Sequence, residues 1–526
     1  MPGFGIADSV YYQAVARHGG FGRPRTYSRT GAVTTTAAVL TITGLPHERA
    51  ALAALRELPF VTSIVLARAG GAELPDPDLP VVPLPSLWAR ESVLQLCDVL
   101  LRSAAGRFLW CLPPAAIPDP VAITRLLDAA DRVGASLAYG DFIEERPDGT
   151  VAPHPLMDWQ PGSVRDDFDF GPLLVIGRTA LERVRPALAA GEGERFGGLY
   201  DLRLHLTEAG PVLHLPEPVC RRPLHDPRTT GEKNFDYVNP RQREYQVEME
   251  RVATVHLARI GALLASPAAP LVPETQPFPV AASVIIPVRN RVRTVGGAVR
   301  SALAQRTSFP FNVIVVDNHS EDGTTDVLAE LARTCDRLVP IVPARRDLGI
   351  GGCWNEAVYS PHCGRIAVQL DSDDLYDGEL VLERIVAEFG KAPYALVVGS
   401  YTIVDFDLNP IPPGLIDHRE WTDENGCNNA LRIAGLGAPR AYHVPTLRTI
   451  GFPNVSFGED YAVVLRICRD WPVGRIYDSL YWCRRWEGNS DSALPLETAN
   501  RYYAFKDRVR SVEIAARQAL NRGEPA

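Results

Sequence analysis

Short aliphatic runs alternate with stretches of helical periodicity along both halves of the chain. In the first half the order is AVLTIT, HERAALAALREL and VTSIVLA, and in the second it is SVIIPV, a helical stretch at 295–304, and FNVIVVD. Strand, helix and strand in this order are typical of a parallel sheet whose strands are buried on both faces. The pattern therefore predicts an α/β fold in each half.

The two halves also share short sequence matches that occur in the same order. Gly106–Leu112 can be laid on Gly364–Leu370, and Val219–Arg222 on Trp482–Arg485. Internal similarity of this kind indicates a repeated structural unit. We therefore expect two copies of one α/β fold in tandem.

Composition divides the chain into segments. The stretch SPAAPLVPETQPFPV is too rich in proline for a helix and predicts a linker ahead of a new domain near Ala281. The expected segments are a loosely ordered arm at 1–36, a first α/β domain at 37–240, a helix and proline-rich linker at 241–280, a second α/β domain at 281–492, and a helical tail at 493–526.

Charge and composition exclude several classes of protein. The chain has 526 residues, 54 Lys and Arg, 63 Asp and Glu, and a formal net charge of -9, so no overall basic field would hold a nucleic acid. Nine cysteines without a C-x-x-C pair indicate neither a disulfide framework nor a zinc site and favour a reducing cytoplasm. We find no signal peptide and no apolar run that would span a membrane, so we expect a cytoplasmic protein, at most peripheral to the inner face of the membrane. Lysine occurs only at Lys233, Lys391 and Lys506, and this scarcity by itself predicts no function.

A cluster of acids follows one apolar strand of the second half. Asp371, Asp373 and Asp374 stand where an open α/β sheet binds its ligands, at the carboxyl end of a strand. Carboxylates this close repel one another unless a cation neutralises them, and their oxygens suit Mg²⁺ or Mn²⁺, which in turn can hold a diphosphate. The alternative is a solvated turn whose acids cap the helix that starts near Gly378.

Further acids could face the same cleft. Asp317 ends a strand and leads into a polar loop at 318–324 that could hold a base and ribose, or could simply cap the helix that follows. Glu459 and Asp460 precede an apolar helix, where a carboxylate could act as a general base. The alternative for this pair is two first-turn acids that the helix dipole favours.

In their order, these motifs resemble a family 2 glycosyltransferase with the GT-A fold, a Rossmann-like nucleotide-diphospho-sugar transferase fold. The motifs are SVIIPVRN (283–290), VIVVDNHSEDGT (313–324), QLDSDD (369–374) and FGEDYAVVLRI (457–467), and the resemblance covers about residues 281–490. It implies transfer of a sugar, with inversion at the anomeric carbon, from a nucleoside diphosphate sugar to an acceptor hydroxyl. A UDP-sugar is the favoured donor, and the acceptor could be a saccharide, a lipid-linked sugar or a peptide.

The resemblance also implies roles for individual residues. Asp373 would bind Mn²⁺ or Mg²⁺, Asp371 would lie near the metal, the ribose and the diphosphate, and Asp460 would be the general base with Glu459 beside it. The remaining residues implied in binding the nucleotide-sugar are Pro287, Arg289, Asn290, Asp317, Asn318 and Ser320.

A basic and aromatic cluster lies near the end of the second domain. Arg484, Arg485 and Trp486 could form a gate over the diphosphate and the acceptor, since arginine suits phosphate and tryptophan stacks on sugars. The alternative is a cluster at a strand end that packs on the domain core.

The first half lacks the acids of the second. Pro113, Pro114, Ala115 and Ala116 stand in place of the acidic cluster, Ala67 in place of Asp317, and Gly198-Leu199 in place of Glu459-Asp460. We therefore expect a degenerate, catalytically inactive copy of the fold. For the whole chain, the alternatives are a nucleotidyltransferase and a non-catalytic scaffold that binds sugar nucleotides.

Overall fold

The computed structural model describes residues 34–524 except 46, 192, 225–241, 266, 420 and 490–493. Nearly all of the expected arm at 1–36 and the junction between first domain and linker near residue 240 therefore lie outside the described residues. Two mixed sheets organise the described chain, one in each half.

The first half builds one sheet with helices on its faces. Its strands are β1 (Thr36–Ile42), β2 (Val61–Ala69), β3 (Val81–Leu84), β4 (Arg107–Cys111), β5 (Ile117–Pro118), β6 (Leu137–Glu145), β7 (Val151–His154), β8 (Leu173–Gly177) and β9 (Val212–Pro223). Its helices are α1 (Glu48–Glu57), α2 (Arg90–Arg102), α3 (Pro120–Val133), α4 (Arg178–Ala189) and α5 (Gly198–Ala209).

The second half follows a helix, α6 (Arg243–Arg259), and an irregular stretch. Its strands are β10 (Ala282–Val288), β11 (Phe311–Asp317), β12 (Leu338–Ile341), β13 (Ile366–Gln369), β14 (Leu375–Tyr376), β15 (Leu396–Val404), β16 (Pro410–Ile416), β17 (Arg440–His443) and β18 (Val473–Arg484). Its helices are α7 (Val295–Leu303), α8 (Thr324–Thr334), α9 (Ile350–Val358), α10 (Val381–Phe389), α11 (Gly426–Asn429), α12 (Val444–Ile450), α13 (Glu459–Asp470) and α14 (Leu496–Asn521).

The two sheets have the same strand order. The first runs β3-β2-β1-β4-β8-β6-β9-β5 with β7 beside β6, and the second runs β12-β11-β10-β13-β17-β15-β18-β14 with β16 beside β15. Every strand of the second sheet therefore takes the place of its counterpart in the first. Both halves have the predicted α/β fold, and the chain carries this fold twice in tandem.

Successive side chains of the central strands point to opposite faces of each sheet, and both faces are buried. In β10, Val284 and Ile286 belong to one buried cluster and Ile285 to the other. Helices α7 and α10 contribute to the first cluster, and α9 and α13 to the second. Because β10, β11 and β13 run parallel, their carboxyl ends meet at one edge of the sheet.

Helix α14 packs against both domains. Its side chains Asp507 and Arg510 are charged and fully buried. Asp507 accepts a hydrogen bond from Ser163 of the first domain at 2.9 Å, and Arg510 donates to the backbone oxygen of Ile433 in the second domain at 2.8 Å. The C-terminal helix thus bridges the two halves of the chain.

Within the described ranges, no helix combines the length and the apolar character that crossing a bilayer requires.

Candidate active site

A cleft of about 620 Å³ opens at the carboxyl ends of the central strands of the second sheet. The sequence-predicted site residues that line it are Pro287, Arg289, Asn318, Asp371, Asp373, Glu459, Asp460 and Arg485. The predicted residues outside its lining are Asn290, Asp317, Ser320, Arg484 and Trp486. The structure therefore brings the acidic loop after β13 and the acidic start of α13 to one cavity.

The acidic loop is held by residues of β13 and β18. The backbone N–H of Asp371 donates to the hydroxyl oxygen of Tyr481 at 3.0 Å, and an Asp371 carboxylate oxygen accepts from Gln369 at 3.0 Å. Asp374 is buried and accepts from the backbone N–H of Arg484 at 2.7 Å. Asp374 therefore shapes the loop, and it lines the cleft together with Asp371 and Asp373.

The negative charges of the carboxylates in this loop are only partly balanced by nearby positive charges and hydrogen-bond donors. Asp371 is open to the cleft, but the protein around it reduces its hydration, and this raises the pKa of its carboxyl. Burial, together with the charges of Asp371 and Asp373, raises the pKa of Asp374 well above its ordinary value. The loop is consequently a place where added positive charge is favourable.

Asp317 is buried beneath the cleft and does not line it. Its two carboxylate oxygens accept from the backbone N–H of Ser320 at 3.0 Å and from the Thr325 hydroxyl at 2.5 Å. Asn290, in the left-handed region at a φ of 54°, joins the same loop by donating its N–H to Ser320 at 2.8 Å. In this structure these three predicted residues organise the loop that presents Asn318 to the cleft.

Asn318 carries an oxygen available to a ligand. Its side-chain nitrogen donates to the backbone oxygen of Leu348 at 2.8 Å, while its side-chain oxygen is buried and has no hydrogen-bond partner. Arg289 is exposed at the same end of the cleft. This end therefore offers an acceptor atom and a positive charge.

The two acids at the start of α13 differ in their surroundings. Burial and the charge of Asp460 raise the pKa of Glu459 to about 8, and its Oε2 has no hydrogen-bond partner. Burial also opposes ionisation of Asp460, but the cations of Arg440 and Lys506 outweigh it and lower the pKa of this carboxyl. At neutral pH Glu459 thus keeps its proton and Asp460 is a carboxylate.

Sequence reasoning missed Arg440 and Lys506. Arg440, at the start of β17, lies 2.9 Å from a carboxylate oxygen of Asp460. Lys506, on α14, donates to the backbone oxygen of Ala434 at 2.6 Å and lines the cleft. Neither residue stands in a recognisable motif. The available signal was the scarcity of lysine, since only three occur in the chain and one of them, Lys506, is buried and lines the same cleft as Asp460.

The predicted gate residues lie next to the acidic loop. Trp486 Nε1 and Asn489 Nδ2 each donate to the Oδ2 of Asp373 at 3.2 Å. The guanidinium of Arg293 lies 5.1 Å from the Trp486 ring and pairs with Glu487 at 3.0 Å. Arg484 is buried and donates to the backbone oxygen of Asp373, whereas Arg485 reaches the cleft.

The first domain has a different surface at the corresponding positions. The loop at 112–116, which has the place of 370–374, contains no acid. Helix α5 begins at Gly198, where a Cβ would lie only 2.6 Å from the backbone nitrogen of Arg90. Strand β2 continues two residues beyond the expected end at Ala67, and its last residue, Ala69, is also an alanine. The acids of the second domain thus have no counterpart here.

Comparisons with known proteins agree with this arrangement at the level of one family. The model for Glycosyl transferase family 2 matches residues 283–440, from β10 to the first residue of β17. The matched segment therefore contains Asp371, Asp373 and Arg440, and ends before Asp460. No curated protein matches the chain at a significant level.

Several solved structures are similar to part of the chain. TarS 1–349 from S. aureus, in complex with UDP-GlcNAc, is 20% identical, with 46% of this chain and 73% of that chain covered and a TM-score of 0.34. Mannosyltransferase PcManGT from Pyrobaculum calidifontis, in complex with GDP-Man and Mn²⁺, is 16% identical, with coverage of 54% and 86% and a TM-score of 0.31. Glucosyl-3-phosphoglycerate synthase from Mycobacterium tuberculosis, in complex with Mn²⁺, UDP and glucosyl-3-phosphoglycerate, is 17% identical, with coverage of 47% and 82% and a TM-score of 0.30.

The family match falls on the domain whose cleft holds the acids, and it includes the strand ends from which most of the cleft is built. The second α/β domain therefore contains a segment, residues 283–440, that matches the model for Glycosyl transferase family 2.

Proposed function

We propose that the second domain transfers a sugar, with inversion, from a nucleoside diphosphate sugar to an acceptor hydroxyl, and that a divalent cation assists. The observation that supports this most directly is that Asp460, an ionised carboxylate, lines the same cleft as Asp371 and Asp373. Such a cleft offers both a proton acceptor and a place for a charged leaving group.

Asp460 is the general base in this proposal. A base must be ionised before it can take the proton of the acceptor hydroxyl, and Arg440 at 2.9 Å favours the ionised form. The deprotonated oxygen then attacks the anomeric carbon from the side opposite the diphosphate, and the bond to the diphosphate breaks. Because Glu459 retains its proton at neutral pH, it supports the position of Asp460 and does not compete as a base.

The acid set fits a divalent cation that the donor helps to hold. Among the described residues, no three or more His, Cys, Asp and Glu side chains are arranged to hold a metal ion by themselves. Mg²⁺ is commonly bound by one or two carboxylates together with substrate phosphates, and Mn²⁺ accepts the same oxygen ligands. We assign Asp373 as the direct ligand and Asp371 as the acid nearer the ribose and diphosphate. When bound, Mn²⁺ or Mg²⁺ would stabilise the charge that develops on the leaving diphosphate.

The donor in this proposal is a UDP-sugar. The partnerless oxygen of Asn318 suits an N–H of the base, and uracil carries such a group. Arg289 is exposed nearby and suits a phosphate. Asp317, Asn290 and Ser320 contribute by holding the loop and not by direct contact. The acceptor is a hydroxyl of a saccharide, a lipid-linked sugar or a peptide.

The proposal that the segment after β18 acts as a gate rests on the contacts of Trp486 and Asn489 with Asp373. While both donate to the Oδ2 of Asp373, that oxygen is shared with the loop that follows β18. We propose that residues 485–489 move when a donor and cation bind, and that Arg485 then faces the diphosphate. Arg484 anchors the base of the loop through its contact with Asp373.

We further propose that the first domain does not catalyse transfer. Its loop at 112–116 offers no carboxylate to a cation. At the start of α5, a Cβ on Gly198 would lie only 2.6 Å from the backbone nitrogen of Arg90, and the Arg90 side chain pairs with Asp201 at 2.7 Å. The domain therefore has neither a base nor a metal ligand at these positions.

The test is a donor panel with product analysis. The purified chain is incubated with UDP-, GDP- and dTDP-sugars and with Mn²⁺, Mg²⁺ or EDTA, and nucleoside diphosphate release is followed. Release that requires the cation and is lost in Asp460→Asn supports the proposal, as does an inverted anomeric configuration by NMR. Pyrophosphate release would instead indicate a nucleotidyltransferase, and silence with every donor would indicate a scaffold.

A further inference from the structure

A lysine from outside the family segment enters the candidate active site. Lys506 is 8% exposed, and its ammonium lies 4.4 Å from the centroid of the Phe457 ring and 5.5 Å from that of Tyr461. Its aliphatic stem packs against Gly458, where a Cβ would lie 3.1 Å from the Lys506 Cγ. Gly458 has a φ of 79° and directly precedes Glu459 and Asp460. Lys506 therefore lies against the turn that presents the base.

The charges around this lysine come from several elements. A buried ammonium is unfavourable without a partner, and burial lowers the pKa of Lys506 to about 8 while the charge of Asp460 opposes this shift. The groups that face Lys506 and Asp460 are Arg440 of β17, Glu459 of α13, Arg510 of α14 and Arg165 of the first domain. Asp371 faces Arg440 and Glu459 from the acidic loop. In this set Lys506 and Arg440 favour the ionised form of Asp460.

The first domain holds the helix that carries Lys506. Asp507, the next residue, accepts from Ser163 at 2.9 Å and from Arg165 at 3.4 Å, and Gln160 donates to the backbone oxygen of Ala504 at 3.1 Å. The contact is so close that a Cβ on Gly162 would lie 2.0 Å from the backbone oxygen of Asp507. We call residues 160–165 the clamp segment.

We propose that Lys506 is a positioning residue for the transfer step, which holds Asp460 in its ionised form toward the acceptor, and that the clamp segment places Lys506 there. This inference rests on the proposed function, in which Asp460 is the base. It gives the first domain a part in turnover although that domain has no acids of its own in the corresponding positions. The residue acts through Asp460 and makes no bond to the reacting atoms.

The first experiment measures kcat and kcat/KM against pH for the parent, Lys506→Met and Lys506→Arg. Loss of the lysine ammonium in Lys506→Met should move the acidic limb of the pH–rate profile to higher pH. It should also lower kcat about tenfold, which is less than the ~10²–10⁴-fold contribution of a general base. The donor KM should stay within twofold of the parent, and Lys506→Arg should restore the limb. Profiles of Lys506→Met and parent that superimpose would overturn the inference. A parent without transfer with any donor would instead reject the proposed function.

The second experiment tests the clamp segment. Gly162→Ala should displace α14 and move the acidic limb in the same direction as Lys506→Met, because the new methyl group cannot fit beside Asp507. Gly71→Ala is the matched control, since a Cβ there meets no atom within 4 Å, and it should match the parent. If Gly162→Ala fails to fold by circular dichroism, Ser163→Ala replaces it and should give a smaller shift of the same sign. An unmoved acidic limb in the folded clamp variant would show that the first domain does not place Lys506.

Discussion

Asp460→Asn is the substitution that probes the proposed base most directly. Asparagine keeps the shape of aspartate and can still accept the backbone N–H of Tyr461, which lies 2.7 Å from the Asp460 carboxylate. It removes the negative charge that faces Arg440 at 2.9 Å and the lone pair that would take the proton. The change is therefore chemical more than geometric.

The size of the effect follows from the two roles of Asp460. A general base contributes ~10²–10⁴-fold, so kcat should fall by this factor, which corresponds to about 3–5 kcal/mol of barrier. The folded state loses a partner for Arg440, whose side chain is 13% exposed, and this should cost about 1–3 kcal/mol of unfolding free energy. Donor affinity should stay near that of the parent, since the donor is assigned to the loops after β10, β11 and β13.

The assay is single-turnover transfer with enzyme in excess, beside calorimetric titration of the donor and urea unfolding. Glu459→Gln is the matched control, because glutamine resembles the protonated acid that Glu459 already is below about pH 8. The control should retain most of its turnover at pH 7. A kcat for Asp460→Asn within tenfold of the parent, with normal folding, would refute the assignment of the base, and a greater loss in Glu459→Gln would reverse the two roles.

Three further predictions concern the metal, the buried acid and the gate. Asp373→Ala should abolish Mn²⁺-dependent donor binding in calorimetry, whereas Asp377→Ala, directly after β14, should not, and equal donor affinity in Asp373→Ala and the parent would remove the metal assignment. The pKa of Glu459 is raised from 4.5 to about 8, so the folded protein keeps a proton that the unfolded chain releases, and the stability that Glu459 contributes falls as pH rises through this window. Glu459→Gln should therefore raise the urea midpoint at pH 8 relative to the parent and leave it nearly unchanged at pH 4, and an equal difference at both pH values would contradict this. Trp486→Phe deletes the N–H that donates to Asp373, so half-maximal activation should need less Mn²⁺, and a higher requirement would argue against the gate.

The architecture was predictable because it depends on local patterns. Buried parallel strands appear in the sequence as continuous aliphatic runs, and the helices between them as periodic ones. The same property made the repeat visible, since Gly106–Leu112 and Gly364–Leu370 occupy equivalent strands. The roles of side chains at strand ends were harder to predict from the sequence. Asp317 occurs at the predicted strand end, yet its carboxylate is turned into its own loop by Ser320 and Thr325.

The sequence by itself determined the repeated α/β fold, the position of the acids after β13 and at the start of α13, and their absence from the corresponding positions of the first half. Each of these features depends on short runs of consecutive residues. Only the tertiary structure decided that Arg440 pairs with Asp460, that Lys506 lines the same cleft, and that residues 160–165 reach across to α14. Those contacts join residues far apart in the chain, and their effect on ionisation depends on burial and on distances between charges. No local pattern carries such information, since it arises when the two domains pack on one helix.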